Sequence, residues 1–204
     1  NIKMMTLKIR KWKKLFGLGS SLGVAGLLVL GASCSERGMV QTDYASYVNP
    51  FIGTGGHGHT FPGPVVPHGM IQPGPDTRLD GWDSCSGYYY NDSTINGFSH
   101  NRLSGTGCCD YGDILLMPTV GEQYIEPSGS SSQQLAYCSA FSHDNEVAVP
   151  GYYSVMLDRY GVKAELTSTC RAAIHRYTYP ETEEGGMILD LDYSCLLYTS
   201  PRQR

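Results

Sequence analysis

The sequence predicts an all-β fold, an antiparallel β-sandwich, on three observations. Turn formers are dense, with 25 Gly and 11 Pro among 204 residues, and no helical period is sustained, which leaves short strands between breaks. From position 150 onward apolar runs recur roughly every ten residues with turns between them, the spacing of hairpins. In Val162-Lys163-Ala164-Glu165-Leu166-Thr167 apolar and polar residues alternate strictly, so one face of that segment meets a core and the other meets water.

Residues 1–33 read as an address. They hold six basic residues (Lys3, Lys8, Arg10, Lys11, Lys13 and Lys14) and no acidic ones. An apolar run follows, Leu15 to Leu18 and Leu22 to Leu30, and ends in Gly31-Ala32-Ser33. That is the layout of a secretory signal peptide, with a run shorter than the roughly 20 apolar residues that span a bilayer. Small residues before Cys34 resemble a bacterial lipoprotein box, although Leu30 stands four residues before the cysteine rather than three. We therefore expect lipidation at Cys34 and anchoring in the periplasm or at the outer membrane, with 34–48 as a polar linker. The alternative is ordinary cleavage beside an incidental cysteine. Because the chain begins with Asn1, translation is expected to start at Met4 or Met5.

Residues 49–194 form the expected sandwich. Pro and Gly punctuate 49–113, which leaves room for short strands around Val65-Val66 and Met70-Ile71. Ile114-Leu115-Leu116-Met117 predicts a buried strand ending at Pro118, and Ser128 to Gln134 a polar loop. Further strands are expected at 152–157, 162–169, 172–179 and 187–191, with turns at Tyr160-Gly161 and Glu184-Gly185-Gly186. Residues 195–204 read as a non-native tail, since Cys195-Leu196-Leu197-Tyr198-Thr199-Ser200 resembles a translated sequencing adapter. On that reading the natural protein continues beyond about residue 194; the alternative is a genuine strand end.

Charge narrows the function classes. The whole chain carries −4, but outside residues 1–33 there are 9 basic and 19 acidic residues, a net of −10. An acidic body without basic clusters is a poor phosphate-backbone binder, so no nucleic-acid partner is expected. With 41% hydrophobic and 17% charged residues, disorder is excluded as well. No Cys-x-x-Cys pair occurs, which removes support for a structural zinc site. Apart from Cys34 and Cys195 the chain holds Cys85, Cys108, Cys109, Cys138 and Cys170; five is odd, so at least one thiol is unpaired and the pairing stays open.

Three segments carry candidate chemistry. Gly53-Thr54-Gly55-Gly56-His57-Gly58-His59 lacks the closing Gly-Lys-Ser/Thr of a phosphate loop and no helix follows it, but its glycines let backbone approach a ligand. Two loop histidines are weak evidence for a metal, and no metal site is expected there. Gly81-Trp82-Asp83 and Gly87-Tyr88-Tyr89-Tyr90 set aromatic rings beside carboxylates, as sugar sites do, or else form a tyrosine-rich sheet surface. Ser104 to Asp113 matches no nucleophile motif and reads as a tight polar loop or a turn into the next strand.

Asn49-Pro50-Phe51-Ile52-Gly53-Thr54-Gly55-Gly56-His57-Gly58-His59-Thr60-Phe61-Pro62-Gly63 resembles the opening of glycoside hydrolase family 92. So do Gly97-Phe98-Ser99-His100, Ser104-Gly105-Thr106-Gly107-Cys108 with Asp110-Tyr111-Gly112-Asp113, Pro150-Gly151-Tyr152-Tyr153, and His175-Arg176-Tyr177-Thr178. Asn101-Arg102 departs from the family's Thr-His, and Cys109 stands where another small residue is usual. The resemblance implies an exported, Ca²⁺-dependent, inverting exo-α-mannosidase acting on mannose-containing glycans. In that family an N-terminal sandwich packs on an (α/α)₆ barrel that supplies the catalytic acid and base and most calcium ligands. This chain then holds no catalytic pair and an apolar face for the missing barrel. Phe51, Gly53, Trp82, His100, Gly107, Cys108 and Asp110 are the residues the resemblance sets near a terminal mannose, with Trp82 equally readable as core. The competing reading is a stand-alone carbohydrate-binding surface lipoprotein.

Overall fold

The computed structural model describes residues 5–8 (backbone only), 43–78, 81–123, 135–191 and 193. Among them are eleven strands, two single 3₁₀ turns and no α-helix. In chain order the strands are β1 (Met5–Lys8), β2 (Gly74–Asp76), β3 (Thr94–Ile95), β4 (Gly97–Ser99), β5 (Leu115–Val120) and β6 (Ser139–Ala140). Then come β7 (Glu146–Val149), β8 (Tyr152–Leu157), β9 (Val162–Ser168), β10 (Ala173–Thr178) and β11 (Gly185–Asp190).

They build a five-stranded sheet of order β1-β11-β5-β4-β2, a four-stranded sheet of order β10-β9-β8-β7, and a two-stranded ribbon of β3 and β6. Every pairing is antiparallel. The second sheet is a meander, and two of its three corners fall at Gly151 (φ +79°) and Gly161 (φ +61°), left-handed positions that glycine occupies without strain. Phe98, Leu115, Met117 and Ile188 from one sheet meet Tyr153, Val155, Leu157, Val162 and Leu166 from the other in a single buried cluster. Each such side chain contributes about 1.5–3 kcal/mol by leaving water. The expected sandwich is therefore the observed fold.

β8, β9, β10 and β11 fall within two residues of their predicted bounds, β11 taking in Gly185 and Gly186 of the expected turn, but β7 has no counterpart among the expected strands and the first half differs. No strand forms at 65–66 or 70–71; β2 lies instead at Gly74–Asp76, inside a stretch rich in turn formers. β5 does not stop at Pro118 but runs through it, opposite Met187 of β11. β4 meets β5 only at Leu116, so at Pro118 the strand has one strand neighbour, where a missing N–H costs least. Tyr88 is not a surface ring. It is fully buried, and its hydroxyl donates to the Glu146 carboxylate at 3.0 Å beside that of Tyr153 at 2.6 Å. Tyr137 likewise donates to Asp190 at 2.7 Å. Tyrosine abundance here supplies core volume and partners for buried acids as well as surface.

The expected linker ends in a 3₁₀ turn, Tyr44–Tyr47, capped by Asp43, whose side chain accepts from the Ala45 N–H. Of the expected leader only residues 5–8 are described, as β1 against β11. Cys34, the 128–134 loop and the 195–204 tail lie outside the described residues. All five cysteines of the described body are free thiols.

On the outer face of the meander Glu165 accepts from Arg176 at 2.6 Å and from the Tyr152 hydroxyl at 2.7 Å. Arg176 and Tyr152 together lower its carboxyl to about 2. A depressed acid contributes stability that is present above its unfolded value and lost as pH falls through the folded one. Unfolding free energy is thus expected to decline from about pH 4.5 toward pH 2 in part through Glu165. Glu165→Gln is expected to shallow that decline, read as urea midpoints across the window; an unchanged slope would refute the assignment.

Candidate functional site

Three loops converge at one end of the sandwich. The first, 51–60, folds tightly because Asn49 Oδ1 accepts the Phe51 N–H at 3.0 Å and the Thr60 N–H returns to the Gly53 carbonyl at 3.2 Å. Gly58 lies against Gly53 so closely that a Cβ would fall 2.2 Å from the Gly53 oxygen. No other residue fits that approach. The second loop, 81–90, is tied to the first by the Tyr90 N–H on the Thr54 carbonyl at 3.0 Å and by Ser86 Oγ on the Thr60 carbonyl at 2.8 Å. The third, 104–112, joins through the Gly105 N–H on the His59 carbonyl at 2.6 Å and Cys109 Sγ on the Gly81 carbonyl at 3.4 Å.

Trp82 stands where the three meet and is 58% exposed, so it is not a core residue. His57 and His59 both pack against its indole, with ring centroids 5.1 and 4.3 Å away. The His57 Nδ1 pairs with Asp83 Oδ1 at 2.5 Å. Gly107 (φ +69°) completes the packing: a Cβ there would lie 2.6 Å from Trp82 Nε1 and 2.9 Å from His59 Cε1. Between the second and third loops is a cleft lined by residues that include Arg78, Ser84, Cys109, Asp110 and Tyr111, with a volume of about 20 Å³. That is room for a single water. Three non-glycine residues of these loops and the turn into β5 adopt left-handed backbone: His59 (φ +55°), Tyr111 (φ +67°) and Ile114 (φ +60°). Such conformations persist where surrounding contacts over-determine them, commonly at binding sites.

The seven residues set near mannose by resemblance are not all brought together. Trp82 and Gly107 touch. Cys108 is exposed, its N–H on Thr106 Oγ1 at 3.3 Å, and Asp110 lines the cleft while its Oδ1 accepts the Tyr111 N–H at 2.8 Å. Phe51 is half-buried and edge-on to Tyr90 at 5.8 Å, packed against the core. Gly53 (φ +84°) acts in the hairpin of the first loop. His100 looks elsewhere: its ring stacks on His175 of β10 at 4.7 Å and its Nδ1 pairs with the Ile114 carbonyl at 2.7 Å. Burial, with His100 adding to it, lowers His175 to about 3, so His175 is an uncharged ring at this joint between the two sheets.

Two groups escaped sequence reading. His57 and His59 were visible only as a possible metal pair, yet their rings brace an indole more than twenty residues away. Arg102 looked like a departure from a motif and is a buried hub beneath the loops, donating to Pro75 and Ser86 carbonyls at 3.0 Å each, Gly74 at 2.8 Å, and Asp76 Oδ2 at 3.1 Å. No local signal in the chain marks either.

With this geometry in view, comparison with known proteins is specific. The family model for the glycosyl hydrolase family 92 N-terminal domain matches residues 47–199. The solved α-mannosidase BT3965 of Bacteroides thetaiotaomicron, determined with mannoimidazole, is 46% identical with a TM-score of 0.69 over 74% of this chain and 20% of its own. The inverting mannosidase BT2199 of the same organism is 33% identical with a TM-score of 0.59 over 71% of this chain and 19% of its own. An uncharacterized secreted glycosidase of Arthroderma benhamiae is 30% identical over 168 residues, 78% of this chain. The chain spans about a fifth of the length of these relatives.

Proposed function

Since the chain belongs to glycosyl hydrolase family 92 and carries its N-terminal domain, we propose that it is the sugar-facing front part of an exported exo-α-mannosidase. The observation that carries this reading is Trp82, a largely exposed indole next in the chain to Asp83 and packed against the glycine-rich loops through His57, His59 and Gly107. An aromatic face takes the apolar side of a pyranose, and carboxylates accept its hydroxyl hydrogens. Solved relatives named as mannosidases, one of them inverting, support mannose as the sugar and inversion as the stereochemistry.

In the reaction we envisage, a carboxylic acid protonates the leaving oxygen while a carboxylate on the opposite face activates water, roughly 6.5–9.5 Å away. Both belong to the domain that follows in the longer protein. This chain contributes the platform that orients the terminal residue. Among the described residues no three His, Cys, Asp or Glu side chains converge to hold a metal ion. The calcium that the family resemblance implies is assigned to the following domain. Export and lipid anchoring at Cys34 remain part of the proposal, supported by the leader layout and by a relative named as secreted.

The decisive experiment uses the complete enzyme. Trp82→Ala is expected to raise KM for an α-mannoside at least tenfold, equivalent to about 1.4 kcal/mol of binding, with unfolding free energy little changed because the ring is already exposed. A kcat/KM within twofold of the parent would overturn the reading.

A further inference from the structure

We propose that His57, His59 and Asp83 are positioning residues that clamp the Trp82 indole and hold its free face in one orientation. The proposal rests on the sugar-platform reading only for its consequence, not for the clamp itself.

Both imidazole rings press on the indole. His59 meets the indole nearly perpendicularly, at 83°, and His57 meets it tilted, at 53°. The two histidines come from one tight loop, and the indole comes from another. A solvent-exposed tryptophan ordinarily samples several rotamers, because little opposes rotation about its side-chain bonds. Here the means of opposing it are unusual for so exposed a ring. His57 is itself an exposed side chain, 75% accessible, and would be free to swing away were it not fastened to Asp83, the residue next to the tryptophan. His59 is the fixed jaw. It is 8% exposed, its carbonyl is pinned by the Gly105 N–H, and Gly107 leaves no gap between it and the indole Nε1 edge.

A second observation separates this arrangement from ordinary packing. The buried His59 Nε2 has no hydrogen-bond partner. A buried polar atom left unsatisfied costs stability, and a phenylalanine or leucine would fill the same space without that cost. The imidazole also sits at φ +55°, which adds backbone strain. An arrangement that gives up stability at two points to place one ring against an indole is accounted for if the indole's orientation is what matters. Loss of the clamp would release rotamer freedom that binding must then remove, and ordering one such side chain corresponds to roughly a two- to tenfold loss of affinity.

The chain offers a clean probe. It contains two tryptophans, Trp12 and Trp82, so Trp12→Phe in the full chain leaves Trp82 as the sole emitter excited at 295 nm. In that background His57→Ala is expected to lower the anisotropy of Trp82 emission and to raise its acrylamide quenching constant at least twofold, while the thermal midpoint moves little. Asp83→Asn is expected to reproduce part of the effect by loosening His57. His57→Phe restores a ring without the Asp83 tether and is expected to lie between His57→Ala and the parent. His59→Asn, a residue that tolerates left-handed backbone, serves where His59→Ala does not fold. Unchanged anisotropy and quenching in His57→Ala and His59→Asn overturn the clamp. The same substitutions in the complete enzyme are expected to raise KM for an α-mannoside two- to tenfold with kcat preserved. Mobile Trp82 with unaltered KM would uphold the clamp and overturn the sugar-platform reading, so the two failures are distinguishable.

Discussion

Replacing Arg102 by alanine is expected to lower the unfolding free energy by about 3–5 kcal/mol, the cost of breaking a buried ion pair from one side. Globular domains have only about 5–15 kcal/mol to lose, so the variant is expected to be largely unfolded at 37 °C. The reason lies in how completely the guanidinium is used. Arg102 is 4% exposed. It donates to the carbonyls of Gly74, Pro75 and Ser86, to Gln72 at 3.3 Å, to Ser99 Oγ at 2.8 Å and to Asp76 Oδ2 at 3.1 Å. Its plane also lies over the Phe61 ring at 4.3 Å.

Alanine would strand Asp76, itself 1% exposed, together with carbonyls that water cannot reach. Burial already pushes the Asp76 carboxyl up against the opposing pull of Arg102, so without the cation the acid would take up a proton to stay buried. Lysine is not a remedy: three donors on a point charge cannot serve a fork of acceptors. Arg102→Lys is expected to recover no more than about half the loss. Urea unfolding of the three proteins checks this, and a penalty below about 1 kcal/mol for alanine would show the hub to be dispensable.

The second large effect is acid sensitivity through His175. Its folded value is lowered to about 3, first by burial and then by the neighbouring His100. A histidine with a depressed folded value is neutral in the native state, so the unfolded chain takes up the proton first. Stability from this group is complete above about pH 6.5 and drains as pH falls from there toward 3. At about 1.4 kcal/mol per unit the full span sets a ceiling of about 5 kcal/mol; solvent reaching a ring that is not fully buried reduces this. We expect about 2 kcal/mol lost between pH 7 and 4.5, a window chosen to lie above the titration of Glu165. His175→Phe keeps a ring against His100 and removes the proton site, so its stability is expected to fall less steeply over the same interval. Parallel pH profiles would refute the assignment.

These two residues show how legibility divides. Three of the four meander strands could be read from the chain, because β8 to β10 are joined by tight turns and their register follows from local alternation: Val162, Ala164 and Leu166 point inward as the pattern demands, whereas β7 has no counterpart among the expected strands. β2, β3, β4 and β6 are two or three residues long. Strands that short have no period to detect, and their existence depends on partners far along the chain, as Pro75 depends on Phe98. The glycines of the site were legible as sites of close approach, and their contacts with Thr60, Gly53 and Trp82 are of that kind. Tyr88 was misread, because an aromatic beside polar neighbours looks the same whether its hydroxyl meets water or a buried Glu146.

By itself the sequence determined the class of fold and the family, since turn chemistry, strand alternation and motif order are local properties of a chain. Only the tertiary structure decided which side chains act together. That Trp82 packs against two histidines of another loop, that His100 stacks on His175 across the sheets, and that Arg102 is a buried hub follow from loop closures spanning tens of residues. Contacts of that reach are selected by burial and hydrogen-bond satisfaction of the whole, and no window of sequence contains them.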